Sequence, residues 1–188
     1  MRQLICFGDS ITAGWDGSRV RPALTKRLEK GLKGLWGVRN AGVPGDNTDQ
    51  ALARIRKDVL RHPYDRVAVL FGANDASFHK GLPIDSFREN LNVMIGEISP
   101  EKTILITPSP VIDTKQKGKR RNERIAAYAE VVRRAADKAG SPLIDLHARM
   151  TELHSYTKML QKDGLHFTSL GYDLLSELIV TTITELEK

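Results

Sequence analysis

Residues 4–10 read Leu-Ile-Cys-Phe-Gly-Asp-Ser. Four apolar residues in a row, without polar alternation, suit a strand covered on both faces, as strands of a parallel sheet are. The run is cut at once by Gly8-Asp9, so the chain turns as it leaves the sheet and Ser10 stands just past the strand end. Four more short runs repeat the pattern: Val38–Ala41, Val67–Phe71, Thr103–Thr107 and Leu143–Asp145.

Between these runs the apolar residues recur at helical spacing. Ala51, Leu52, Ile55, Val59 and Leu60 share one face of a helix that Asn47 or Thr48 would cap. Phe87, Leu91, Met94, Ile95 and Ile98 form a second stripe, with Asp85 as its expected cap. Ile125, Tyr128, Ala129, Val132 and Ala136 form a third, stopped by Gly140 before Pro142. Leu174, Leu175, Leu178, Ile179 and Ile183 mark the last helix. Strands alternating with helices mean βαβ units, hence an α/β fold with a parallel sheet wrapped by helices. With no repeat, low-complexity tract or linker, a single domain over residues 1–188 is expected.

Composition supports a packed core. The chain is 40% hydrophobic and 28% charged over 188 residues, which excludes disordered and fibrous classes. Its one cysteine, Cys6, excludes a disulfide framework and any cysteine-based metal site. Leu4–Phe7 is too short for a signal-peptide core and no run of about 18 apolar residues occurs, so a cytoplasmic protein without a membrane span is expected. The net charge is +6, with one dense patch at Lys115–Arg124 (KQKGKRRNER). That patch contains no aromatic residue to stack a base, so it reads as a solvated loop and helix start. No nucleic-acid partner is expected.

Ligands of such sheets bind beyond the carboxyl ends of the strands. Four polar segments fall there: Gly8-Asp9-Ser10, Asn40 to Asp46, Gly72-Ala73-Asn74-Asp75, and Asp163-Gly164-Leu165-His166 before the last helix. A serine hydroxyl needs a base to take its proton, and the base needs an orienting group. Asp163 and His166 are close enough in sequence for one turn to join carboxylate and imidazole, leaving the second ring nitrogen for Ser10. Acyl transfer also needs donors for the developing oxyanion. Gly45 in its Pro-Gly turn, the Asn74 amide and the Ser10 backbone N–H supply three. Each piece has a plainer alternative. Taken alone, Gly8-Asp9-Ser10 is more often just a turn, Asn74-Asp75 a turn or helix cap, Gly45 a tight-turn residue, and Asp163 with His166 a capped loop. Of the other histidines (His62, His79, His147 and His154) only His147, two residues after Asp145, offers a rival base and orienter.

Together, FGDSITAG, NAGVPGDNT, FGANDA and DGLHFTSLGY resemble, in order and spacing, the four blocks of the SGNH (GDSL-type) hydrolase superfamily. The resemblance runs from Phe7 to Tyr172 and is nearest to the isoamyl acetate-hydrolysing esterase branch. It implies a flavodoxin-like three-layer sandwich with a five-stranded parallel sheet. It implies Ser10 as nucleophile, His166 as base, Asp163 as its partner, and Gly45 and Asn74 as oxyanion donors. The activity it implies is hydrolysis of a small carboxylic ester through an acyl-enzyme, with no cofactor. Two departures stand out: Ile11 replaces leucine harmlessly, and Ala73 replaces a second glycine, where its methyl is expected to narrow the approach to Asn74. Gly42 is a rival for Gly45.

Two other classes compete. A metal-dependent phosphoesterase would use Asp9, Asn74 and His166 as ligands, but Asp9 has no second acid or histidine two residues on. A non-enzymatic flavodoxin-like binding domain would want a glycine-rich phosphate loop, and Asp9 would repel phosphate. The connections Pro108–Asn122 and Met150–Gln161 offer no wall for a long acyl chain, so acyl groups of about two to four carbons are expected.

Overall fold

Leu4 to Phe7 lie in an interior strand of the sheet, as their unbroken apolar character requires. The computed structural model describes residues 1–188. Strand β1 (Arg2–Gly8) is flanked by β2 (Trp36–Gly42) and β3 (Arg66–Leu70). Outward from β3 come β4 (Thr103–Ile106) and β5 (Leu143–Ile144). The order is β2-β1-β3-β4-β5, with every pairing parallel. The chain therefore leaves β1 to one side, then crosses back to the other. The crevice between the ends of β1 and β3 is the point where strand order reverses.

Alternate side chains feed two cores. Ile5, Phe7, Val67, Val69 and Leu105 pack on one face against α3 (Thr48–Ile55), α4 (Ile84–Ile98) and α5 (Asn122–Ala139). Leu4, Cys6, Ala68, Leu70 and Ile104 pack on the other against α2 (Ala23–Gly31) and α7 (Ser169–Leu186). This is the expected three-layer α/β sandwich with a five-stranded parallel sheet. No helix is long and apolar enough to cross a membrane.

Several local expectations are corrected. Strand β2 is an edge strand with Arg39 and Asn40 exposed, so it is not covered on both faces. Phe71 and Thr107 lie past the ladders, although both are buried. Asp145 ends no strand; it caps the short α6 (Leu146–Thr151), accepting the Ala148 N–H. Asn47 does cap α3, in a reciprocal pair with Gln50, and a single π turn at Arg56–Leu60 then keeps Val59 in the core. Asp85 does not cap α4: Pro83 occupies that position, and the exposed Asp85 carboxylate pairs with Arg88 at 2.8 Å. Gly140 ends α5 in the left-handed conformation, as expected. Helix α2 escapes the periodic reading because only Leu24 and Leu28 face inward from it.

Gly8 closes β1 where no side chain fits. A Cβ there would lie 2.1 Å from Thr12 Oγ1 and 2.7 Å from the Leu70 carbonyl oxygen. Gly8→Ala is expected to destabilise by about 1–3 kcal/mol through forced backbone displacement, seen as a lower midpoint in urea and a Tm several degrees down. An unchanged midpoint would mean that the turn relaxes freely.

Candidate active site

The Asp9 carboxylate accepts the Ile11 N–H at 2.9 Å and so caps α1 (Ser10–Ala13), one turn ended by a left-handed Gly14. Ser10 is the first residue of that turn, where the helix leaves a backbone N–H unused. Its hydroxyl oxygen lies 3.0 Å from His166 Nε2, across 156 residues of sequence. His166 Nδ1 lies 2.5 Å from Asp163 Oδ2. Asp163 Oδ1 accepts the backbone N–H groups of Leu165 (2.9 Å) and His166 (3.1 Å), a turn that fixes both partners. Burial raises the Asp163 pKa, but the His166 ring and the two backbone donors outweigh it, and the carboxyl is held below its ordinary value.

Ser10, Gly45 and Asn74 line one cleft, each with an N–H group to offer. Gly45 has φ +89° and open space around it, and neither its N–H nor that of Ser10 donates to a protein acceptor. Past β3, Asn74 Nδ2 donates to the Asp46 carbonyl at 2.9 Å while its Oδ1 accepts from Arg120 at 2.7 Å. The second Nδ2 hydrogen is left for the cleft. That cleft, about 320 Å³, is lined by Ser10, Gly45, Asn74, Arg120 and His166, with Trp15, Pro44 and Leu165 as apolar walls. An imidazole against a hydroxyl, a carboxylate behind it and N–H groups in the same cleft are the parts needed to carry a proton off an attacking oxygen and hold a negative charge.

The model of the GDSL-like Lipase/Acylhydrolase family matches residues 6–174. The chain belongs to this family. It is a GDSL-type ester hydrolase, which sets aside the metal-phosphoesterase and non-enzymatic alternatives. The crystal structure of a lipase/acylhydrolase from Enterococcus faecalis superposes with a TM-score of 0.95 at 40% identity, covering 98% of this chain and 96% of that one. The isoamyl acetate-hydrolyzing esterase of Schizosaccharomyces pombe is 35% identical, covering 97% of this chain and 75% of its own. A human protein named isoamyl acetate-hydrolyzing esterase 1 homolog is 29% identical, covering 92% and 77% respectively.

The GDSL-type frame explains which rivals drop out. A Cβ on Gly42 would lie 2.3 Å from the Ala13 backbone nitrogen, so Gly42 serves close packing and does not line the cleft. Ala73 packs in the core, and its methyl does not narrow the approach to Asn74. Asp145 is taken up by Arg133, Thr107 and the Ala148 N–H and does not orient His147, whose Nε2 has no partner. Asp75, fully buried in a turn, accepts the Thr48 N–H and hydroxyl from 27 residues away and so ties the end of β3 to the start of α3, whose cap is Asn47. The largest correction is the basic patch. Gln116 and Arg120 are not solvated: they are only 4% and 9% exposed, and Arg120 reaches the cleft. Nothing in a run of lysines and arginines distinguishes the one that turns inward. Trp15, which also lines the cleft, has no distinguishing signal in the sequence.

Asp9 is a further buried acid, at 2% exposure. Burial pushes its carboxyl up to about 7; the Ile11 N–H and Arg120 oppose this, and Asp75 and Asp46 add to it. The folded state therefore holds the Asp9 proton more tightly than the unfolded chain does. That stabilisation is complete below about pH 4 and is lost as pH rises through 7. Asp9→Asn keeps an acceptor for Ile11 without the charge, so its Tm relative to the parent should climb between pH 5 and pH 8. A difference independent of pH would show that the carboxyl is already ionised at pH 5.

Proposed function

We propose that the protein hydrolyses short-chain carboxylic esters through an acyl-enzyme on Ser10, all within one domain. The observation that carries the reading is the Ser10–His166–Asp163 line, with distances of 3.0 and 2.5 Å, in a cleft that Gly45 and Asn74 also line. His166 Nε2 takes the hydroxyl proton as Ser10 Oγ attacks the ester carbonyl carbon. The carbonyl oxygen becomes an oxyanion held by the Ser10 and Gly45 backbone N–H groups and by Asn74 Nδ2. Asp163 stabilises the imidazolium that forms. His166 then protonates the departing alcohol, and water enters by the same route in reverse to release the acid.

Small acyl groups suit a cleft of about 320 Å³, near the lower end of ligand pockets. Of the two connections that could supply a tunnel, the second spends Met150 and Leu160 on the core. The first turns Val111 inward, into the opposite core. The names of the yeast and human relatives point to an ester of the same size.

A fluorophosphonate should add its mass to the protein, and Ser10→Ala should lose both the adduct and the esterase activity. An adduct retained in that variant would place the nucleophile elsewhere. Among p-nitrophenyl acetate, butyrate, octanoate and palmitate, kcat/KM should be highest for the first two. A steady rise to octanoate would require a buried acyl pocket, since each buried methylene adds about 0.8 kcal/mol.

A further inference from the structure

Arg120 lines the cleft from a loop that the sequence marks only as basic. Its three side-chain hydrogen bonds all go to neutral oxygens. Nε donates to the Ala73 carbonyl at 2.6 Å, Nη1 to Gln116 Oε1 at 2.9 Å, and Nη2 to Asn74 Oδ1 at 2.7 Å. A guanidinium can only donate, so the Asn74 carbonyl oxygen must face it and the amide nitrogen must face away. Asp46 takes one hydrogen of that nitrogen, which leaves the other aimed at the cleft. A cation on the amide oxygen also draws electron density from the nitrogen, making its remaining N–H a stronger donor. Gln116 extends the chain of bonds, donating from Nε2 to the Asp163 carbonyl at 2.8 Å. One continuous run of hydrogen bonds thus ties the Asn74 donor to the loop that carries Asp163 and His166.

We propose that Arg120 is a positioning residue for ester hydrolysis: it fixes and polarises the Asn74 amide as an oxyanion donor. This rests on the serine mechanism above. Its role is exerted through Asn74, so the two residues should behave as one unit in the transition state and have little influence on ground-state binding.

The test is a double-mutant cycle on p-nitrophenyl acetate with the whole protein. Asn74→Ala should lower kcat on the order of 10²–10³-fold. Arg120→Ala should lower it on the order of 10–10²-fold with KM nearly unchanged, and the double variant should be no slower than Asn74→Ala alone. Arg120→Lys, which keeps the charge but cannot reach two oxygens as a fork, should fall between the parent and Arg120→Ala. Thermal unfolding of each variant checks that it is folded. If Arg120→Ala does not fold, Arg120→Lys replaces it in the same cycle. Multiplying losses in the double variant would overturn the proposal, as would a raised KM at unchanged kcat, the mark of direct substrate contact. Ser10→Ala, assayed alongside, separates the two levels. Turnover surviving in Ser10→Ala removes the serine mechanism, whereas an inactive Ser10→Ala with multiplicative losses removes only the role of Arg120.

Discussion

A strand buried on both faces can meet solvent only where its ladder ends, and β1 is such a strand. Its registers with β2 and β3 both terminate at Gly8, paired with Gly42 on one side and Leu70 on the other. The residues of the candidate site are arranged around that terminus. Gly8 allows the close turn, Asp9 caps the next one, and Ser10 emerges at the rim. The reversal of strand order places the ends of β2 and β3 on either side, which brings Gly45 and Asn74 to the same rim from opposite directions.

Polar groups at a strand terminus lose their ladder partners and must find others. Arg54 meets part of that need. It donates to the Gly8 carbonyl at 2.9 Å and the Ala41 carbonyl at 2.8 Å, pairs with Asp46 at 2.6 Å, and lies over the Phe7 ring. Arg120 does the equivalent at the end of β3, on the carbonyl of Ala73. Two guanidinium groups thus brace the rim from its two sides, among the carboxyls of Asp9, Asp46 and Asp163. A fork of fixed geometry suits this task better than a lysine, because it can hold separate oxygens in one plane.

What the sequence discloses follows from which signals are local. Unbroken apolar runs and helical stripes are, and they reveal all five strands and most helices. The candidate site is legible for a related reason. Ser10, Asn74 and His166 sit in turns whose glycines and caps are written beside them, and Asp163 bonds within its own turn. Arg54 and Arg120 are not legible. Each acts through carbonyls distant in sequence, and nothing adjacent to them differs from an ordinary exposed arginine. The same holds for β2, where only the place in the strand order reveals an edge.

The 156-residue separation of Ser10 from His166 has a consequence for the ribosome. At about 5–20 residues per second, the histidine follows the serine by roughly 8–30 s. During that interval β1 can already be pairing with β2 and β3, yet the hydroxyl has no imidazole beside it. If Ser10 is the nucleophile and His166 its base, as proposed, the nascent chain gains esterase activity only once the final helix docks. On that mechanism a polypeptide cut short before the histidine loop is inert, however well its sheet has formed.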